Sequence, residues 1–107
     1  MKFYIIWYNK NTKHITVEEE ADEKRIIEIN NKLKGDDSDG VRYTSNQFMD
    51  ADITSLEYSF DNFKAHYPDS VIKMNIDIYY PTGEVENDIM IIVGNELELE
   101  IQKSLLM

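Results

Sequence analysis

The hydrophobic pattern changes period several times along the chain, and each change marks an element. Phe3-Tyr4-Ile5-Ile6-Trp7-Tyr8 is apolar and β-branched or aromatic at consecutive positions, as a strand covered on both faces requires. Asn9-Lys10-Asn11-Thr12 is rich in turn formers and His14–Glu18 alternates, so residues 2–18 read as a hairpin. Beyond it Ile26, Ile29 and Leu33 recur at helical spacing. Acids crowd the start of that segment and Lys32 and Lys34 its end, and Gly35 stands where a helix stops; the spacing predicts a helix over 19–34. Residues 35–40 form a loop, and Val41–Thr44 fits a short edge strand.

A second helix is announced by Thr54-Ser55-Leu56-Glu57, which has the form of a capping box, with Ile53 and Tyr58 placed as its hydrophobic staple. Ile53, Leu56, Phe60, Phe63 and Tyr67 then fall on one stripe, a core face, and Pro68 ends the helix. Residues 71–103 read as a three-stranded meander. A four-residue loop over 81–84 pairs Tyr80 with Val85, Ile76 with Ile89 and Ile72 with Val93. A three-residue turn after Val93 then sets Leu97, Leu99 and Ile101 against Val93, Ile91 and Ile89, which keeps one apolar face continuous. The pattern predicts an α+β fold: an antiparallel sheet of four to six strands, order ββα(β)αβββ, with two helices on one face.

Composition narrows the classes. The 107 residues carry a formal charge of −10 with 42% apolar residues, too many for a disordered acidic tail and enough for the core of a single domain spanning 1–107. The absence of Cys excludes disulfide frameworks, thiolate zinc sites and Cys nucleophiles. Residues 1–34 hold seven bases and six acids (+1), whereas residues 35–107 hold four bases and fifteen acids (−11). That balance argues against direct binding of nucleic acid or an anionic membrane. No apolar run approaches a membrane span and no cleavable leader is recognisable, so the expected location is cytoplasmic.

Candidate chemistry is sparse. Set against an EF-hand loop with Gly40 at the sixth position, Asp37 and Asp39 fall on ligand positions, but Gly35 and Asn46 stand where the strongest ligands belong. His14 and His66 lack metal-binding spacing, and no nucleophile elbow or phosphate-binding glycine loop occurs. No cofactor is implied. The carboxylate pairs, such as Glu57 with Asp61, read as exposed, whereas acid–base catalysis needs carboxyls in contrasting environments, so the chain is not expected to be an enzyme.

The outward face of the meander is the informative surface. It sets Asp77 and Tyr79 beside Glu86, Asp88, Met90 and Ile92, and these beside Glu98 and Glu100. Carboxylates at strand spacing with interspersed apolar groups suit a basic protein surface, with the acids pairing Lys or Arg and Tyr79, Met90 and Ile92 supplying buried contact. In the first strand, residues 3–8, either Phe3/Ile5/Trp7 or Tyr4/Ile6/Tyr8 faces away from the helices and could add an aromatic anchor. In size, acidity and lack of Cys the chain resembles, in type only, toxin-immunity proteins and phage-encoded inhibitors of host nucleases. The expected function is a non-enzymatic inhibitor of a basic, nucleic-acid-handling protein. The alternative is an assembly module that forms a homodimer through its sheet face.

Overall fold

The computed structural model describes residues 1–35, 38–47 and 55–106. Five strands, β1 (Phe3–Asn9), β2 (His14–Ala21), β3 (Arg42–Gln47), β4 (Val71–Tyr79) and β5 (Val85–Val93), form one antiparallel sheet in the order β2-β1-β5-β4-β3. Among the described residues three helices accompany it, α1 (Glu23–Leu33), α2 (Leu56–His66) and α3 (Glu96–Leu106). The fold is α+β, with the edge strand expected near Val41–Thr44 present as β3.

An interior position in the sheet, between β2 and β5, explains why β1 is apolar or aromatic from Phe3 to Tyr8. Phe3, Ile5 and Trp7 join Ile26 and Ile29 of α1 and Leu56, Phe60 and Phe63 of α2 in the larger core. Ile6 points the other way, into a smaller core with Ile91, Val93 and Leu99 of α3. Aromatic rings knit the larger core: Phe3 lies 5.3 Å from Phe60 and 5.8 Å from Phe63, in the tilted and edge-on arrangements that ring quadrupoles favour.

Helix boundaries follow their caps. The first helix begins at Glu23 rather than 19, because Glu18, Glu19 and Glu20 pair with Ile6, Ile5 and Tyr4 as part of β2. Asp22 is its N-cap, accepting the Arg25 N–H at 3.3 Å, and Gly35 (φ 108°) follows its end, its N–H donating to the Lys32 carbonyl at 3.1 Å. The second helix is capped by Ser55, whose Oγ accepts the Tyr58 N–H at 3.1 Å. Ile53 and Thr54, expected as staple and cap, lie outside the described residues, as do Asp36 and Asp37 of the acidic loop.

Two expectations for the C-terminal third are overturned. The segment expected as a third meander strand is α3. Asn95 caps it by accepting the Glu98 N–H at 2.7 Å, while its own Nδ2 donates to the Pro68 carbonyl at 3.0 Å. Gly94 lets the chain pass Pro68 closely: a Cβ there would meet the Pro68 carbonyl oxygen at 2.4 Å. The register of β4 and β5 also differs by one residue, with Tyr79 opposite Val85, Ile76 opposite Asp88 and Ile72 opposite Ile92. The turn decides this. Tyr80 and Glu84 close a three-residue loop over 81–83, in which the Gly83 N–H donates to the Tyr80 carbonyl at 3.0 Å and Gly83 takes φ 89°. Among the described residues no helix is long and apolar enough to cross a membrane.

Candidate functional site

The one-residue shift redistributes the expected binding face. Asp77 and Tyr79 remain on the sheet surface away from α1 and α2, with Asp77 accepting from Asn87 Nδ2 at 2.7 Å and Tyr79 lying under the Arg42 guanidinium at 4.7 Å. Glu86, Asp88, Met90 and Ile92 instead stand opposite Ile78, Ile76, Met74 and Ile72, on the face covered by α1 and α2. Met90 and Ile92 are fully buried core residues, so neither offers surface contact. Glu98 and Glu100 belong to α3. No single face carries the eight residues. Two other places gather chemistry.

The first is a cleft of about 250 Å³ under α1, at the end of the sheet where Trp7, Tyr43, Ile78 and Tyr80 meet Glu86 and Asp88. Asp88 is only 2% exposed, and its Oδ1 has no hydrogen-bond partner among the described residues. Burial, reinforced by a hydrogen bond to Glu86 and by the charge of Glu86, raises its pKa to about 7, with the charge of Lys10 opposing. The Tyr80 hydroxyl donates to Glu86 Oε1 at 3.2 Å; burial first and Glu86 second push the phenol pKa up. Trp7 and Tyr43 meet edge-on at 6.4 Å. Arg25 stands at the rim, its Nε 2.8 Å from Glu19 and a terminal nitrogen 3.4 Å from Glu28. A carboxyl pair of this kind can hold a proton near neutral pH or meet a cation. Nothing in the sequence marks it, because Glu86 and Asp88 sit in the alternation of a strand whose polar phase would ordinarily face water.

The second is the groove between β2 and α3. Glu18 and Glu20 approach from the strand, Glu96 and Glu100 from the helix, and Tyr4 and Leu99 line the same space of about 570 Å³. Two lysines answer these acids: Lys103 lies 3.1 Å from Glu18 and 3.7 Å from Glu100, and Lys2 lies 3.2 Å from Glu20. The Tyr4 hydroxyl donates to Glu96 Oε1 at 3.1 Å, and its pKa is raised, by burial first and Glu96 second.

Beyond the groove, the outer line of α3 exposes Leu97 (74%), Ile101 (43%) and Leu105 (68%), each one turn from the next. The helix therefore has apolar residues on two sides, with Leu99 packed on the sheet and this stripe facing out. Among the described residues, no three acidic or histidine side chains converge in a way that could hold a metal ion. Comparison with protein-family models, with curated proteins and with solved structures finds no match.

Proposed function

We propose that the chain is a non-enzymatic, acidic protein-binding module that docks through α3 onto a basic partner, one that handles nucleic acid in the cytoplasm, and covers its substrate surface. The observation that carries this reading is the composition of α3. Three large aliphatic side chains stand exposed in line, and the adjoining groove adds Glu18 and Glu20 to Glu96 and Glu100. Interfaces commonly combine an apolar centre with a charged rim. Here the acids outnumber the two lysines that answer them, so the complementary surface carries Lys and Arg, as nucleic-acid-binding surfaces do. The buried Met90 and Ile92 leave this role to Leu97, Ile101 and Leu105, with Glu100 on the groove side of the same helix and Glu98, held by Gln102 Nε2 at 2.9 Å, beside the stripe.

The test compares three forms of the chain: wild type, E18K/E96K/E100K, and L97S/I101S/L105S. Each is used to capture proteins from an extract of its own host at low and high salt, and the captured protein is then purified. The reading expects a basic protein that binds wild type one to one, loses nucleic-acid activity when bound, and is captured at least tenfold less by both variants. Equal capture by the variants overturns it. So does light scattering that shows a wild-type dimer dispersed by the triple serine variant, which assigns the stripe to self-association.

A further inference from the structure

The cleft under α1 lies apart from the docking helix and has chemistry that a protein-binding role does not use. Asp88 reaches it from the middle of β5, almost wholly buried, with Oδ1 unpartnered among the described residues. Buried acceptors are ordinarily met by a donor, so this oxygen calls for one. Glu86 follows on the same face of the strand, and its contacts to Tyr80 and to Asp88 bring no positive charge. Arg25 is the one cation among the lining residues, and Glu19 and Glu28 already engage it. Lys10 gives its Nζ to Asn75 at 2.9 Å. The two elements flanking Asp88 in the sheet contribute Asn9 and Ile76, neither of which titrates.

We infer that this cleft binds a small primary amine in its ammonium form, the N–H donors meeting Asp88 and Glu86 while the apolar part lies against Trp7 and Tyr43. Each component of the lining selects for that chemistry. An anion is repelled by the two carboxyls. A neutral donor satisfies Oδ1 but leaves the charge uncompensated in a partly apolar site. An ammonium group does both. The volume lies just below the range of pockets that hold drug-sized ligands, so the amine is small.

Binding requires the ionised form of Asp88. Burial first, and then Glu86, favour its protonated form, and Lys10 opposes them. Affinity therefore rises as pH passes upward through about 7.

Trp7 lines the cleft and is the only tryptophan in the chain, so its fluorescence reports occupancy directly. The probe is benzylammonium chloride, with benzyl alcohol as its neutral counterpart, titrated into the full chain at pH 8 and pH 6. The inference expects saturable binding of the ammonium probe, weakened about tenfold or more for the alcohol, and about tenfold at pH 6 from the Asp88 titration. Asp88→Asn, checked for native circular dichroism, is expected to bind at least tenfold more weakly; should that variant not fold, Glu86→Gln takes its place with the same expectation. Absence of saturable binding up to about 10 mM probe, equal affinity for the alcohol, or undiminished binding by the folded variant each overturns the inference. None of these outcomes bears on the α3 surface.

Discussion

Asp88 carries the largest electrostatic penalty that can be read in the described part of the molecule. Its folded-state pKa of about 7 lies above the ordinary value of 3.8, so over that interval the folded chain binds more protons than the unfolded one. Stability then falls as pH rises: the contribution is fully present below about pH 4 and is lost by the time pH exceeds 7. A shift of this size corresponds to roughly 4 kcal/mol at about 1.4 kcal/mol per pKa unit. Asp88→Asn keeps the shape and removes the titration. In urea denaturation it is expected to match wild type near pH 4 and to exceed it by about 4 kcal/mol at pH 8. A variant less stable than wild type at pH 8 would show instead that the ionised carboxylate stabilises the fold. A buried carboxyl with an unpartnered oxygen, kept at such a disadvantage, points to a use.

At the scale of elements, α3 is the informative case, because its sequence fits two periods at once. Leu97, Leu99 and Ile101 alternate as in a strand, yet Asn95 followed by Glu98 is a capping pair, Glu96 and Glu98 occupy the first turn, and Lys103 stands in the last. The two readings assign different fates to neighbouring leucines. A strand buries Leu97 and Leu99 on one face, whereas the helix buries Leu99 at 6% exposure and leaves Leu97 at 74%. Leu99→Ala is therefore expected to cost about 2–3 kcal/mol and Leu97→Ala less than about 0.5, measured by chemical denaturation. Equal losses would contradict the helix. Much of the fold was legible in this way. The hairpin, both central helices, the edge strand β3 and the apolar β4 all follow from period and punctuation. The register of β4 with β5 was not, because Ile89 to Val93 is apolar at every position and matches its neighbour equally well in either phase. The deciding signal was Pro81-Thr82-Gly83, a three-residue turn whose glycine takes the left-handed conformation.

Across the whole molecule, the charge of −10 acts as a field rather than as a set of contacts. The segment count put the excess beyond Gly35, but folding brings Glu18 and Glu20 from the nearly neutral first third against Glu96 and Glu100. The ion pairs there join partly exposed side chains, and such pairs contribute little individually. Net repulsion should therefore dominate the response to salt. Raising ionic strength from about 0.01 M to 0.1 M shortens the screening length from about 30 Å to 10 Å. The urea midpoint is expected to rise over that interval; a fall would mean that the lysine pairs outweigh the repulsion. The same field favours fast encounter with a positively charged partner, at a rate that falls as salt is added.

Taken by itself, the sequence determined the class of fold, the elements around the larger core and the sign of the electrostatic field, because these depend on local period, on end signals and on totals. It set Glu98 and Glu100 on a third meander strand beside Met90 and Ile92, whereas the structure puts both acids on α3 and buries Met90 and Ile92. Only the tertiary structure decided which face of β5 is buried, and with it whether Asp88 meets solvent or a cleft. A single residue of register inverts a strand. That choice was made by the 81–83 turn and by cores on both sides of the sheet, the second completed by α3 from the far end of the chain.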